Sequence, residues 1–349
     1  MFKASENAFG LDISDLSFKL IQLQKKRRKV TLKSYGEINV PSGYIEQGEI
    51  KAEEEAVKLI KKLISQVKGS KIITKQAITA LPEAKTFIKV IEVNKDNHGL
   101  LANIKKEAQN WIPLSIEELY LDWQIIKETE KKFQILIGSI PQYVSDQYTN
   151  ILEKAGLTPL VMEVEAAAIS RSLTNEGWAS PLIIIDLGAS RTSLILYDRG
   201  TIQFTVNLPV SGQQITETIA QTLQISQKEA EKGKVVCGLD EKMCQGAMKK
   251  ILHGSISSLT KKIKETMKFY QHHFQWGRPI EKIILCGGGA NFKNINQVLV
   301  DNLKIKIELG NPWINVHNIK NFSLSKNKSL SFTTAIGLAL RGIEDEIFL

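Results

Sequence analysis

Two aspartates close apolar runs in the same manner, about half a chain apart. The first stands in "FGLDISDLSFKLIQL" (Phe9 to Leu23), the second in "IIIDLGASRTSLILYD" (Ile183 to Asp198). Each run stops at its acid, Asp12 or Asp186, and the chain then turns through small or hydroxyl-bearing residues. These are Ser14 and Ser17 in the first turn, and Gly188, Ala189, Ser190 and Thr192 in the second. Such hairpins offer backbone N–H groups and hydroxyls to phosphate oxygens. An aspartate at the strand end can hold Mg2+ through water, because that ion favours a few carboxylates combined with phosphate and water. Two hairpins of this kind facing each other would grip a phosphate chain from both sides. Either one taken alone also reads as an ordinary turn.

A third feature sharpens the pattern. "CGGGANF" (Cys286 to Phe292) follows an apolar run and precedes a helical one, so Gly287, Gly288 and Gly289 allow a ligand close to the backbone. Upstream, Glu231 and Lys234 stand three apart on one helical face, after the capping-box pair Ser226 and Glu229. Alone they read as a surface ion pair. In order with the other features they could meet a ribose and a base. Other chemistry is thin: His272 and His273 are adjacent on a helix and face different directions. Cys237, Cys244 and Cys286 lack metal or redox spacing and read as buried or inert thiols in a reducing cytoplasm.

The elements that must position these residues alternate between strand and helix. Residues 9–40 alternate as strands do, and 50–67 place Val57, Ile60, Leu63, Ile64 and Val67 on one helical stripe. "KQAITALPEA" reads as a buried strand ending at Pro82. Residues 87–140 then read strand, helix, strand, strand, with Leu100, Leu101, Ile104 and Ala108 inward on the helix. A helix ending near Gly156 and a strand follow. After the second aspartate run come a helix with Ile215, Ile219 and Leu223 inward and a long helix over 255–274. "TTAIGLALRGI" closes the chain as an amphipathic helix. The succession predicts an α/β fold rather than a barrel or sandwich.

Composition excludes several classes. With 349 residues the chain exceeds one small core, so two or more lobes are expected. No apolar run approaches the roughly 20 residues of a membrane-spanning helix, and no cleavable leader pattern predicts export. The net charge of +9 is densest in "KKRRK" (Lys25 to Lys29), whose flanks make it a hairpin tip. No aromatic residues interleave it, so nucleic-acid binding is not expected. An acidic membrane surface is the better match for such a loop.

Taken in order, the two Asp turns, "EVEAAA" (Glu163 to Ala168), "AEKGK", "GGGA" and "TTAIGLAL" resemble the actin-like ATPases. That superfamily includes actin, sugar kinases, DnaK-type chaperones and the cell-division protein FtsA. The chain is most similar, nearly end to end, to the PilM family of type IV pilus assembly. The resemblance implies two lobes around a nucleotide cleft, with an FtsA/PilM-type strand-helix-strand-strand insertion. The implied division is 1–83 and 141–181 for the first subdomain, 84–140 for the insertion, 182–333 for the second lobe and 334–349 for a returning helix. It implies ATP and Mg2+ as ligands. Asp12, Ser14, Ser17 and Lys19 fall in its first phosphate motif, and Asp186, Gly188, Ala189, Ser190 and Thr192 in its second. Glu231, Lys234, Gly287, Gly288 and Gly289 align with its adenosine pocket. Glu163 aligns with the carboxylate that positions the attacking water. The first turn reads Asp-Ile-Ser-Asp where most relatives have Asp-Ile-Gly, so hydrolysis is expected to be slow at most. The resemblance further implies a cytoplasmic scaffold, held at the inner membrane by the N-terminal tail of a PilN-like protein. Trp111, Ile112, Tyr120 and Trp123 are the apolar candidates for that contact. Other assembly proteins, including the assembly ATPase, and self-association are further partners it suggests. The acidic end "IEDEIFL" argues against direct anchoring. An FtsA-like filament protein and a small-molecule kinase are the alternatives within the superfamily.

Overall fold

In a computed structural model, residues 8–27, 29–96, 99–175, 177–317 and 324–343 are described. Arg28 of the basic cluster and residues 344–349 of the acidic end lie outside them. The chain begins with an antiparallel meander, β1 (Phe9–Ile13), β2 (Ser17–Lys26) and β3 (Lys29–Asn39). Side chains alternate across a strand, and β1 uses both faces. Phe9, Leu11 and Ile13 join one core, while Gly10 abuts the last helix. A small ribbon, β4 (Ile45–Glu46) and β5 (Glu49–Ile50), leads into α1 (Glu53–Ser65), which buries Val57, Ile60 and Leu63. β6 (Lys68–Gly69) extends β3, and β7 (Gln76–Leu81) runs parallel to β1.

The predicted strand-helix-strand-strand unit is present as β8 (Phe87–Asn94), α2 (Leu100–Gln109), β9 (Leu119–Glu128) and β10 (Lys132–Pro141). It has its own core of Ile91, Val93, Ile104, Ala108, Ile112, Ile135 and their neighbours. Leu101 points outward instead of inward, because it stands one residue off the 100–104–108 stripe. α3 (Gln142–Lys154) ends as expected before Gly156, which takes a φ of +83°. β11 (Thr158–Val164) then runs parallel to β7, and α4 (Glu165–Leu173) follows.

The second half repeats the first. β12 (Leu182–Leu187), β13 (Thr192–Asp198) and β14 (Thr201–Leu208) form another meander. α5 (Gly212–Leu223), α6 (Gln227–Cys237), α7 (Ala247–Ile251) and α8 (His253–His273) come next. β15 (Lys282–Cys286), α9 (Ile295–Leu303) and β16 (Lys306–Leu309) add two parallel strands beside β12, as β7 and β11 do beside β1. α10 (Lys326–Leu330) and α11 (Thr333–Arg341) complete the described chain. The strand orders are β11-β7-β1-β2-β3-β6 and β16-β15-β12-β13-β14-β8-β10-β9. The inserted strands therefore extend the second sheet, through a single residue pair, Phe204 with Lys89.

Three expectations are corrected. α11 is not amphipathic: every residue from Thr333 to Leu340 is buried, because the helix is sandwiched between β1 and α4. Its small residues permit this, since a methyl group at Gly337 would strike the Ala168 carbonyl. Leu223 lies at the last turn of α5 and is exposed rather than inward. Cys237 and Cys244 are not free thiols but form a disulfide that ties the end of α6 to the loop before α7, with Cα atoms 5.8 Å apart. Cys286 alone is a free, buried thiol.

Candidate functional site

Strand pairing places Asp12 opposite Lys19 and Asp186 opposite Ser193, so each acid stands at the turn end of its hairpin. Asp12 accepts a hydrogen bond from Ser14 Oγ at 2.8 Å, and Lys19 Nζ lies 3.8 Å from its other oxygen. Lys19 also donates to Ser17 Oγ at 2.6 Å. Asp15 turns away from this group and accepts the Gly48 N–H at 3.0 Å. Its Oδ1 is thus engaged by the β4–β5 ribbon. In the second hairpin, the Gly188 N–H donates to the Arg191 carbonyl at 2.9 Å and closes the turn. The carbonyls of Gly188 and Ala189 accept from the Gly212 and Gln213 N–H groups, which locks the turn to the start of α5. Ser190 stands between them at the tip.

Beside this turn opens a cavity of about 890 Å3. Gly188, Ala189, Thr192, Glu231, Lys234, Gly288 and Gly289 line it, so the structure gathers those expected residues. Leu16 represents the first hairpin there, and Ile256, Leu259, Phe292 and Ile295 supply an apolar wall. Phe292 and Ile295 carry no sequence expectation, whereas Ile256 and Leu259 belong to the inward stripe that the sequence predicts for the long helix. Their signal, an i, i+3 pair, is the same whether a helix faces a core or a ligand. Glu231 and Lys234 are bound to each other at 2.6 Å, and Lys234 also donates to Thr216 Oγ1 and the Gly212 carbonyl. The pair therefore fastens α6 to α5 at the cavity edge. Gly287 takes a φ of +80°, and a methyl there would strike Asp186 Oδ1, so the glycine lets the two strand ends meet.

Glu163 is not brought to this group. Arg171 holds it in a two-pronged ion pair, at 2.6 and 2.8 Å, and also donates to the Gly337 carbonyl. The carboxylate that does arrive is Glu165, the first residue of α4. Its Oε2 lies 3.0 Å from Arg191 Nη2, and its Oε1 accepts from Thr334 Oγ1 at 3.3 Å. Burial pushes Asp12 up to about 6 and Asp186 up to about 7, and the charge of Glu165 adds to both. Glu83 is 1% exposed, its Oε1 has no hydrogen-bond partner, and burial likewise pushes it up to about 7. Among the described residues no three acids, histidines or cysteines converge tightly enough to ligate a metal directly. The chemistry of this set instead suits a hydrated Mg2+, whose charge would relieve Asp12 and Asp186.

Glu83 makes a clean stability prediction. Its folded pKa is raised, from 4.5 to about 7, so the folded chain binds the proton more tightly than the unfolded chain does. Stability is lost as pH rises through that window, and the full cost is present above it. Glu83→Gln is expected to raise the unfolding free energy at pH 8 by about 1–3 kcal/mol. The gain should vanish near pH 4, where both side chains are neutral. Urea unfolding at the two pH values checks it, and an equal effect at both would refute the assignment.

Two repeated meanders, each with an aspartate turn between its first two strands, give the chain an actin-like fold. The chain belongs to the PilM family: the model described as type IV pilus assembly protein PilM matches residues 10–343. Its structure is similar to a chain of a PilM–PilN type IV pilus biogenesis complex, with TM-score 0.81, 24% identity, and 97% of this chain and 99% of that chain covered. MreB 5 of Spiroplasma citri, bound to AMPPNP, is a more distant likeness at TM-score 0.56 and 14% identity, covering 96% of this chain and 95% of that one. In sequence, the cell division protein FtsA of Borreliella burgdorferi is 24% identical over 241 residues, 63% of this chain and 56% of that protein. The chain thus spans little more than half of that curated relative. Among the described residues, no helix is long and apolar enough to cross a membrane.

Proposed function

We propose that the chain is an ATP-binding scaffold of type IV pilus assembly that docks the cytoplasmic N-terminal tail of a PilN-like inner-membrane protein. The family match supports the assembly role. The observation that carries the nucleotide is the cavity of about 890 Å3 between the second aspartate turn, the glycine run and the α5–α6 pair. In this reading the base lies against Ile256, Leu259 and Phe292, Glu231 and Lys234 border the ribose, and the phosphates extend towards Gly188 and Thr192. Asp12 and Asp186 would hold Mg2+ through water. The ion would supply charge neutralisation for the phosphates. Glu165, rather than Glu163, is the carboxylate that would orient a water, because its charge reaches both Asp12 and Asp186. The AMPPNP bound to MreB 5 is consistent with a nucleotide in this fold.

For the partner, the insertion offers an edge strand. β9 ends the second sheet, and Tyr120, Trp123 and Ile125 on it are exposed. Trp111 is exposed but stacks on Lys89 of β8, away from this edge, and Ile112 belongs to the insertion's own core. Tyr120 Oη donates to Asp146 on α3 at 3.2 Å, so this surface borders the first sheet's lobe. An extended tail gains affinity from backbone pairing at such an edge and from apolar side chains beside it. Recruitment of this kind would hold the chain at the inner face of the membrane. The FtsA-like filament reading is the weaker one, because that likeness covers only 63% of the chain.

A synthetic peptide of the cognate PilN-like N-terminus, titrated against the full chain, tests the docking. The double variant Tyr120→Ala/Trp123→Ala is expected to bind it at least about tenfold more weakly, in line with aromatic hot spots. Unchanged affinity in a folded variant would move the docking site elsewhere.

A further inference from the structure

Arg191 is the one charged side chain in a turn otherwise built from Gly188, Ala189 and Ser190, and a turn residue of that type ordinarily faces water. Here it faces inward. Its side chain is only 19% exposed, and Nη2 donates to Glu165 Oε2 at 3.0 Å. Asp12 and Asp186 feel its charge, and Asp15 and Glu83 in turn act on it. Thr334 independently holds the other oxygen of Glu165, so that carboxylate stays in place without Arg191.

The position relative to the cavity is the informative part. Gly188, Ala189 and Thr192 line the chamber, but Arg191 does not; it lies on the turn's inner side, towards Glu165. A nucleotide with its base on the apolar wall extends its phosphates along this turn. A guanidinium carries five donors in a rigid fork. Among the described residues, the Glu165 bond is its only side-chain hydrogen bond, so most of that fork is open.

We propose that Arg191 reads the length of the phosphate chain, donating to the terminal phosphate of a nucleoside triphosphate that a diphosphate does not extend far enough to present. The inference rests on the nucleotide reading above and adds its discrimination. In the diphosphate state Arg191 stays on Glu165 alone. In the triphosphate state it bridges Glu165 and the phosphate, which ties the ligand to α4 through the second turn.

The test is titration calorimetry of ADP and AMPPNP, each with Mg2+, against the full chain and the variants Arg191→Gln and Arg191→Lys. The original chain should bind AMPPNP at least about tenfold tighter than ADP, a difference that two charge-assisted hydrogen bonds readily supply. Arg191→Gln should bring the two affinities within threefold of each other while ADP binding stays within threefold of the original. Arg191→Lys keeps the charge but loses the fork, and its preference should fall between the two. A preference that survives in Arg191→Gln, or is absent from the original chain while ADP binds, overturns the proposal and leaves the nucleotide reading standing. Failure of both nucleotides to bind the original chain overturns both. Should Arg191→Gln fail to fold, Arg191→Lys decides alone: retention of the full preference refutes the fork.

Discussion

Gly288→Trp is expected to abolish measurable nucleotide binding while leaving the chain folded. Gly288 lines the cavity, and a Cβ built on it meets nothing within 4 Å. The added side chain therefore causes no collision at its root, and the indole projects into space the ligand needs. Its neighbours give no such clean experiment. A substitution at Gly287 is strained by its positive φ, and a methyl at Gly289 would come within 2.8 Å of the Leu187 carbonyl. Mg·ADP affinity should fall at least about 100-fold, which corresponds to about 2.7 kcal/mol. Titration calorimetry measures the loss, and a thermal melt checks the fold. Equal affinity in the two proteins would remove the nucleotide from this cavity.

The second large effect concerns the helix that both halves share. Gly337→Val is expected to destabilise the chain by about 3 kcal/mol or more, at the upper end for overpacked sites. The colliding atom is the backbone carbonyl of Ala168 on α4, which cannot rotate aside as a side chain would. Relief requires α11 to move off α4, and α11 is already confined on its other face, where a methyl at Gly10 would lie 2.5 Å from the Ala335 carbonyl. Arg171 donates to the Gly337 carbonyl at 3.0 Å, so a shift of α11 also disturbs the Arg171–Glu163 pair. The control is Gly254→Ala near the start of α8, where nothing lies within 4 Å of the added methyl. Urea unfolding of the two variants should separate them clearly. Similar midpoints would mean that α11 and α4 are not packed this closely.

Much of this architecture is legible before folding because the signals are local. The alternating run around Asp12 and the continuous apolar run before Asp186 mark the strands, and side-chain alternation sets which residues share a face. The capping box at Ser226 is present as predicted, with Glu229 accepting from the Ser226 N–H at 2.9 Å. The rest depends on neighbours far away in sequence. "TTAIGLAL" reads as amphipathic until β1 and α4 close over both its faces. Glu163 and Glu165 are two residues apart in one acidic stretch, and only the change from strand to helix at Val164 separates their directions. Arg191 carries a turn's signature of exposure, which the carboxylates around it reverse. The six residues between Cys237 and Cys244 carry no spacing rule of their own, and the loop before α7 brings the sulfurs together.

The joint between β14 and β8 gives the molecule a defined mechanical weak point. Within the insertion, β8 and β10 are laced by eight residue pairs, whereas the insertion meets β14 at the one pair of Phe204 and Lys89. The Lys89 ammonium also sits 3.1 Å from the centre of the Trp111 ring and 5.2 Å from that of Phe269 on α8, which makes a small non-covalent latch across the same line. Tension applied to the outer strand β9 runs through the long ladders and reaches the short joint. There the load falls on one backbone pair, one latch and the packing of Ile88 and Val90 into the second sheet's cores. The insertion would part from the second sheet as an intact body before any of its own strands unzip, giving way first where the fewest bonds share the force.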